Sequence, residues 1–475
     1  MDLERTRRRQ SLKVIISEAI MVIAVILMVT ILAFIVSGYW VGSDFKIERQ
    51  GLLQVASVPT GANVEIDGSS SWLQRTNTSK VLSSGEHTII LTKDGYDSWQ
   101  KTITITEGLL YRLNYPRLFL NNRQSEEVLN TVGVTAASVS QNRELMLLLN
   151  GTTEWTLANL NGDAVEYKKL DVSKVFSTVS LADDATVGLF TGEIVSMDWD
   201  KDNSHILFKV VSGTGTEWVL VDVRNVSNSI NLTKSFGYDF DTVKIINNSS
   251  SALLATQNGN LHKIDLTNKS LSSVLAEKVI SFSQYDNEVA FFASETEVGD
   301  AETDNKPYFI GLLNLSDSRV DKLTTISTPG QVAYSRFYDN KYITIFTDDE
   351  ALLYKKDESS DPISFELKFT PDTIKIGHNG EFIALSSGNK IATIDMESLK
   401  LSEWQAEGNS RFGWLDGFMI YSVTDGELIV YDYDGLNRRV LSSNVSARFP
   451  VTITSNKWLY YFSDNNLIRE WLIPR

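Results

Sequence analysis

One unit of sequence recurs from about residue 117 to the end of the chain, and it restricts the fold more than any other feature. Each copy has a polar turn between two apolar runs rich in β-branched and aromatic residues, then a run that ends in Asp or Asn. These terminal residues are Asn159, Asp222, Asp265, Asn314, Asp395 and Asp432. The copies are about 40 to 60 residues long, which is enough for three or four short strands. Such a unit cannot bury both of its faces alone, so neighbouring copies must pack on each other.

Two further copies lack the terminal Asp or Asn. They are Tyr342–Phe346 with Ala351–Tyr354, and Trp458–Phe462 with Leu467–Trp471. The count is then eight units, with seven as the alternative, and this period is typical of the blades of a β-propeller. The last copy is one strand short, so we expect Arg117–Leu120 to complete it and close the ring. Two β-sandwiches are the competing fold, but their strands would not recur with a fixed period.

The polar turn itself carries a resemblance. The run Trp199-Asp-Lys-Asp-Asn-Ser-His-Ile-Leu-Phe208 resembles the WD-repeat-like blades of bacterial envelope propellers, where Trp-Ser-Pro-Asp-Gly-x-x-Ile-Phe is typical. It departs from that pattern at the Ser and Pro positions, so the resemblance is to the architecture rather than to one family. It implies a seven- or eight-bladed β-propeller over residues 116–475.

An uncharged apolar run, Ala19–Val36, lies near the start of the chain and contains one polar residue, Thr30. As a helix it would be about 27 Å long, close to the thickness of a bilayer core. We predict a single transmembrane helix over residues 14–41, with Tyr39 and Trp40 at the membrane interface. A cleaved signal peptide ending near Gly38 is the alternative. The basic residues ahead of the run, which predict a cytoplasmic tail over residues 1–13, include Arg7, Arg8 and Arg9.

The net charge and the cysteine content limit which partners the protein can bind and in which cellular compartment it is expected. The formal net charge is −16, so the surface would repel nucleic acid, and no nucleic-acid partner is expected. The chain has no cysteine, which excludes disulfides, thiolate metal sites and cysteine nucleophiles. With the predicted orientation, this indicates a bacterial cell-membrane protein whose C-terminal part is extracellular or periplasmic.

Behind a predicted linker, residues 42–50, a short all-β unit is predicted over residues 51–115. Its motifs are Val55-x-Ser-x-Pro-x-Gly-Ala-x-Val-x-Ile-Asp-Gly68, Leu82-x-x-Gly-x-His-x-Ile89 and Lys93-x-Gly-Tyr96. These motifs resemble the PEGA domain, with Thr60 as a departure where the family name implies Glu. The resemblance implies a small β-sandwich common on bacterial envelope proteins, and it implies no catalytic residues.

Patterns for catalysis or metal binding are weak. The four histidines, His87, His205, His262 and His378, fall in separate units. The alternating Asp198, Asp200 and Asp202 resemble a calcium loop, but the following Gly and the distant Glu are missing, so a hairpin turn is favoured. No nucleophile-elbow, P-loop or zincin motif is present. We therefore predict no catalytic residue, no metal site and no cofactor.

Acidic residues gather in the loops between the second and third strands of the units, which would emerge on one face of the disc. We predict an acidic interaction face made of Glu295, Glu297, Asp300, Glu302, Asp304, Asp348, Asp349 and Glu350. The alternative is a polar surface that only keeps the protein soluble. If the face binds a basic partner, reversing its charges should weaken partner capture and its salt dependence.

These features together predict an all-β ectodomain, a PEGA-like sandwich and a propeller, behind one N-terminal membrane helix. The predicted function is non-enzymatic: a membrane-anchored, extracytoplasmic binding or scaffold protein. Its partners would be the lipid bilayer, through residues 14–41, and an envelope protein or glycan. The alternative is an envelope hydrolase or lyase with a carboxylate site in the propeller channel. Sensing is a third possibility, but it would need a membrane partner to carry the signal.

Overall fold

The computed structural model divides the chain into two compact units, residues 1–122 and 123–475. It describes residues 18–33, 39–41, 47–180, 187–213, 215–246, 252–295, 308–356, 361–377, 380–408 and 412–474.

The described part of the N-terminal apolar segment, residues 18–33, is helical (α1). The predicted extension of this helix to Val41 is wrong, because Tyr39–Val41 is a strand that pairs with Ile47–Val55. The aromatic and β-branched side chains in Tyr-Trp-Val favour a strand. Among the described residues, no helix combines the length and the apolar character needed to cross a membrane. Residues 1–17, including Arg7, Arg8 and Arg9, lie outside the described residues.

The rest of the first unit is a pair of four-stranded sheets. Its strands are β1 Tyr39–Val41, β2 Ile47–Val55, β3 Asn63–Ile66, β4 Ser69–Arg75, β5 Thr78–Ser83, β6 Gly85–Thr92, β7 Trp99–Ile105 and β8 Leu110–Leu113. One sheet has the order β1-β2-β5, with β8 also paired to β2, and the other has the order β4-β3-β6-β7. Residues 47–50, assigned above to the linker, begin strand β2.

Alternation explains how these two sheets pack. Strand β7 buries every second residue, from Trp99 to Ile105, as its sequence predicts. A Cβ on Gly51 of β2 would lie 2.5 Å from the Ile105 side chain, so a glycine is required where the two sheets approach. The turn Asp67–Gly68, with φ of 51° and 76°, joins β3 to β4 as the Asp-Gly signal predicts.

Within the described part of the second unit, eight four-stranded antiparallel sheets follow each other along the chain. Blade 1 contains Val134–Val139, Leu145–Asn150, Glu154–Asn159 and Glu166–Asp171. Blade 2 contains Glu193–Trp199, His205–Ser212, Gly215–Asp222 and Ile230–Asn231. Blade 3 contains Thr242–Ile245, Ala252–Gln257, Asn260–Asp265 and Ser270–Leu271. Blade 4 contains Val279–Tyr285, Glu288–Ser294, Tyr308–Asn314 and Val320–Ile326.

The remaining sheets repeat this plan. Blade 5 contains Gln331–Phe337, Asn340–Phe346, Glu350–Lys355 and Ile363–Glu366. Blade 6 contains Thr373–Ile376, Phe382–Ser387, Lys390–Asp395 and Lys400–Gln405. Blade 7 contains Phe412–Trp414, Met419–Thr424, Glu427–Asp432 and Arg439–Ser442. Blade 8 contains Thr452–Thr454, Trp458–Ser463, Asn466–Trp471 and, as its fourth strand, Ser125–Asn130. Short elements outside the blades are the strands Val179–Ser180 and Leu189–Phe190, a 3-10 turn Val226–Asn228 and a helix Leu232–Phe236 (α2).

Apolar clusters join the successive blades from blade 1 to blade 7, and a further cluster joins blade 8 to blade 1. In that cluster Met146 and Leu148 of blade 1 pack with Tyr460 and Phe462 of blade 8. Blades 7 and 8 meet through a hydrogen bond from the Ser442 hydroxyl to the Tyr461 hydroxyl (2.9 Å). The sheets therefore form a closed ring, which is a β-propeller.

The strand that closes the ring is Ser125–Asn130, paired with Asn466–Trp471, rather than the predicted Arg117–Leu120. Those residues belong to the first unit, where the Leu118 N–H donates to the Val58 carbonyl (2.9 Å) and Phe119 is fully buried.

The terminal Asp or Asn of each repeat has a structural role: it ends the third strand and caps the turn that follows. Backbone amides donate to these side chains, namely Asn161 to Asn159 (3.1 Å), Arg224 to Asp222 (2.9 Å), Thr267 to Asp265 (2.8 Å), Ser316 to Asn314 (2.8 Å) and Glu397 to Asp395 (2.9 Å). Asp432 instead accepts from the side chain of Asn437 (2.8 Å). The marker is therefore turn chemistry and not a site.

Because the strands of a blade alternate in direction, turns between the first and second strands lie on the same face of the ring as those between the third and fourth. The loops between second and third strands lie on the opposite face. We call these the 1–2 face and the 2–3 face.

Candidate functional site

A cavity of about 780 Å³ opens on the 1–2 face, and its lining comes from six of the eight blades. Only a position on the ring axis is reached from so many blades, so we call it the axial cavity. Its charged and aromatic lining includes Arg143, Lys201, Arg336, Tyr285, Tyr338 and Trp414. A second cavity of about 390 Å³ shares Arg143 and Trp414 and continues along the first strands of the ring. The volume of the axial cavity is that of a small-molecule site.

The axial cavity is positively charged although the chain is acidic. Among the described lining residues, three cations face one carboxylate, Asp286. The Asp286 carboxylate lies 3.8 Å from the ammonium group of Lys341, which offsets part of its charge. Two or three convergent carboxylates, the arrangement that the hydrolase or lyase alternative requires, are not present among the described lining residues.

Arg336 is held at the mouth of the axial cavity by three contacts. Its guanidinium donates to the Tyr285 hydroxyl (3.4 Å), to the Tyr338 carbonyl and to the Asp339 carboxylate (3.2 Å). The Tyr285 contact and the Asp339 ion pair both raise the pKa of Arg336, so it stays charged. Two blades further round the ring, the Trp414 indole N–H donates to the Lys375 carbonyl (3.1 Å), which fixes the plane of its ring.

The inner wall carries charged groups on neighbouring first strands. Lys244 of blade 3 donates to the Phe282 carbonyl of blade 4, and Lys375 of blade 6 donates to the Phe412 carbonyl of blade 7 (2.9 Å). Desolvation lowers the pKa of Lys244 and the charge of Asp198 opposes that shift. Desolvation likewise raises the pKa of Asp198, with Lys244 opposing. These lysines therefore link blades, and their contacts keep the wall of the channel in shape.

Two residues that line the axial cavity have left-handed backbone conformations that their side chains disfavour. Arg143 has φ of +62° in a turn closed by its N–H and the Ser140 carbonyl (2.9 Å). The same position is Asn203 in blade 2 and Gly380 in blade 6, residues that tolerate this conformation. Tyr338 has φ of +50° in a two-residue turn. A left-handed conformation costs a residue with a Cβ about 1–2 kcal/mol, so the fold alone does not favour Arg or Tyr there.

Gly380 holds Arg336 in place from the next blade. A Cβ on Gly380 would lie 2.2 Å from the Arg336 carbonyl oxygen, and φ at Gly380 is +74°. Only glycine allows the turn of blade 6 to lie directly against the backbone of Arg336.

The predicted acidic residues are only partly described. Glu295, Asp348, Asp349 and Glu350 lie at the ends of second or third strands, on the 2–3 face. Lys322 forms an ion pair with Glu295, and the Ser364 hydroxyl donates to Glu350, whereas Asp348 and Asp349 are exposed. Glu297, Asp300, Glu302 and Asp304 lie outside the described residues. The acidic interaction face stays a prediction, and it lies opposite the axial cavity.

The other candidate groups serve local structure. Burial opposes ionisation of Asp200, but hydrogen bonds from His205 and Ser204 lower its pKa to about 2. Asp200 therefore caps a hairpin turn, which is the interpretation that the sequence favoured over a calcium loop. His262 bonds the Ser272 carbonyl (3.0 Å), and His378 lies outside the described residues.

His87 gives the first unit a pH-dependent contact. Its Nδ1 lies 2.6 Å from the Asp67 carboxylate and its Nε2 lies 2.9 Å from the Ser83 carbonyl. Burial lowers the pKa of His87, yet the bonds to Asp67 and Ser83 outweigh it and raise the pKa overall. The hydrogen bond from His87 in turn lowers the pKa of Asp67 from its ordinary 3.8.

We expect His87→Asn to destabilise the first unit by about 1 kcal/mol between pH 4 and 6.5, since Asp67 is half exposed and solvent screens the pair. The histidine contribution is complete below its ordinary pKa of 6.5 and fades as pH rises through its raised folded pKa. The aspartate contribution fades as pH falls through its lowered pKa. Calorimetry of the full chain at pH 5 and pH 8.5 measures the difference, and an equal effect at both values would contradict this account.

Sequence patterns missed the axial cavity because its residues come from turns far apart in the chain. One signal was present: Arg143 occupies the turn position that Asn203 and Gly380 occupy in other repeats. An alignment of the repeats on their turns would have shown that Arg143 occupies a position where the backbone conformation disfavours an arginine.

Comparison with known proteins addresses the two units separately. The family model of the PEGA domain matches residues 50–117. The resemblance of the sequence motifs to the PEGA domain is therefore confirmed over these residues. No curated protein matches the chain.

Solved structures similar to the chain include propeller proteins. An oligogalacturonate lyase in complex with manganese matches at 14% identity, over 58% of this chain and 88% of that one, with a TM-score of 0.40. Porphyromonas gingivalis dipeptidyl peptidase 4 matches at 12% identity, over 70% and 56%, with a TM-score of 0.46. The β-propeller domain of Myceliophteria thermophila Cps50 (Swd1) matches at 9% identity, over 74% and 100%, with a TM-score of 0.41. These similarities concern the fold alone and do not bear on the ligand.

Proposed function

We propose that this protein is a non-enzymatic binding protein of the cell envelope, in which the propeller holds the ligand and the PEGA domain acts as a spacer. The observation that carries the proposal is the axial cavity, a site of small-molecule size with three cations and four aromatic side chains. Binding needs only complementary charge and shape, whereas the competing hydrolase or lyase needs positioned acid and base groups. An envelope protein or glycan is the proposed source of the ligand.

Membrane attachment through the N-terminal segment is part of the proposal. Large apolar side chains of helix α1 are exposed on all sides, from Ile20 (61%) to Leu32 (53%). Apart from Glu18 at the start of the helix, its polar side chain is Thr30, whose hydroxyl donates to the Ile26 carbonyl (2.8 Å). A helix that exposes apolar groups on every face needs an apolar surrounding, and a bilayer supplies one. The Arg-rich segment before it would then keep the N-terminus cytoplasmic.

Turnover distinguishes binding from catalysis. Full-length protein in detergent micelles is incubated with cell-envelope extract, and the retained component is released and compared by mass with the input. We expect at most one retained molecule per chain, with its mass unchanged. Accumulation of cleaved product over many equivalents per chain would contradict the proposal and support a hydrolase or lyase.

A further inference from the structure

We propose that the axial cavity binds a small polyanion, a ligand with at least two carboxylate or phosphate groups. This inference rests on the binding function proposed above and names the chemistry of its ligand.

The positions of the cations determine how many anionic groups the ligand carries. Arg143 and Lys201 come from the adjacent blades 1 and 2, while Arg336 comes from blade 5. In a closed ring of eight blades, blade 5 lies across the axis from blade 1. One oxyanion cannot reach both sides of a 780 Å³ cavity, so a ligand that satisfies all three cations carries anionic groups at two ends. Guanidinium groups bind carboxylate and phosphate through paired hydrogen bonds.

Two of these cations can accept a new partner at low cost. Lys201 is exposed, and within the part of the chain that the structure describes its ammonium group makes no hydrogen bond or ion pair. Arg336 pairs with Asp339, whose side chain is fully exposed, and exposed ion pairs of this kind are weak. A ligand oxyanion at the mouth of the cavity can therefore compete with Asp339 for the guanidinium.

The third cation is kept at a conformational cost. Arg143 occupies a left-handed position that Asn203 and Gly380 fill in the equivalent turns of other blades. Those two blades show that the turn forms without an arginine, so the cationic side chain is what distinguishes blade 1. Lys269, Lys278 and Leu399 are also left-handed in turns away from the cavity, so what Arg143 adds to the cavity is its charge rather than its backbone conformation.

A buried hydroxyl points to the same ligand. Ser335 lines the axial cavity next to Arg336 and is 3% exposed. Its hydroxyl has no hydrogen-bond partner among the described residues. Buried hydroxyls normally find a partner, and an oxyanion bound beside Arg336 would be a suitable acceptor.

The aromatic side chains indicate that the anionic groups are attached to a flat or ring-shaped body. Tyr285 and Trp414 lie on blades 4 and 7, on separate parts of the lining. Aromatic contacts hold both rings in place. The centroid of the Tyr285 ring lies 5.8 Å from that of Tyr334, and the Trp414 ring stacks on Phe382 with 6.3 Å between centroids. Rigid aromatic faces add contact area at little entropic cost.

Calorimetric titration of the full-length protein tests the inference with two probes, benzene-1,3,5-tricarboxylate and pyrophosphate, and with neutral glucose as the reference. The variants are Arg143→Gly and Lys201→Gln. The matched control is Arg319→Gln, which removes an exposed arginine paired with Asp321 in a 3–4 turn on the same face. Melting temperatures are measured in parallel.

We expect wild-type protein to bind at least one anionic probe and not glucose, with affinity that falls as salt rises. Either anionic probe upholds the inference, and the tighter one identifies the anionic group. Arg143→Gly and Lys201→Gln should each weaken binding about tenfold, while Arg319→Gln leaves it unchanged. Arg143→Gly should melt no lower than wild type, because glycine relieves the backbone strain.

No binding of either anion, or equal losses in all three variants, would overturn the inference. The proposed binding function would survive that result if the protein still retained an envelope component without turnover. Multiple turnover would instead count against the proposed function itself.

Discussion

Replacing Arg123 with alanine is expected to lower the free energy of unfolding of the ring by about 3–5 kcal/mol. The Arg123 guanidinium binds the Glu470 carboxylate on blade 8 and donates to the Leu441 carbonyl on blade 7. Glu470 is 5% exposed and also accepts from the Tyr461 hydroxyl (3.1 Å). Burial raises the pKa of Tyr461 to about 12, so this hydroxyl keeps its proton. Without Arg123, the carboxylate is left buried without its cation.

Chemical denaturation followed by tryptophan fluorescence measures this loss. Arg319→Ala is the matched control, since the Arg319–Asp321 pair is exposed and should contribute less than about 1 kcal/mol. If Arg123→Ala cost no more than Arg319→Ala, the segment that leads into Ser125–Asn130 would not hold the ring closed.

Trp155→Ala is expected to cost a similar amount, about 3–5 kcal/mol, by opening a cavity between blades 1 and 2. The Trp155 side chain is 1% exposed. Its ring lies 5.3 Å from Phe176, 5.8 Å from Phe190 and 5.2 Å from Phe208, between ring centroids. Its indole N–H donates to the Thr152 carbonyl (3.0 Å), which would lose its partner as well.

The control for this prediction is Tyr167→Ala, an aromatic truncation on the fourth strand of the same blade. Tyr167 is 57% exposed, and its loss should change the free energy of unfolding by less than about 0.5 kcal/mol. Equal effects of the two substitutions would mean that the interface between blades 1 and 2 is not a packed core.

Local chemistry made much of the fold predictable. The Asp67–Gly68 turn, the alternation of β7 and the capping residues at the ends of third strands all follow from residues close in sequence. Ring closure was not predictable in this way. Ser125–Asn130 is an outer strand with mostly polar residues and no buried side chain, so it has no apolar signal. The more apolar Arg117–Leu120 is instead drawn into the core of the first unit, where Leu118 is 2% exposed.

The candidate site was less predictable than the fold. Acidic loops are visible as local composition, and they led to an interaction face on the 2–3 side of the ring. The axial cavity depends on which turns meet across the axis, and Arg143 and Arg336 meet there only because the ring closes. Neither residue belongs to a motif, and an arginine that is at least partly exposed is ordinary on any surface.

Retention of an envelope component by two matched variants tests most directly which face of the ring binds. Full-length protein is compared as wild type, as the cavity variant Lys201→Gln with Arg336→Gln, and as the opposite-face variant Asp348→Asn with Asp349→Asn. Each variant removes two charges, and melting temperatures measured in parallel check that both variants are folded, because Arg336 also loses its contacts to Tyr285, Tyr338 and Asp339. We predict that the cavity variant loses retention and the opposite-face variant keeps it. Loss of retention in the opposite-face variant, with retention kept by the cavity variant, would contradict the account.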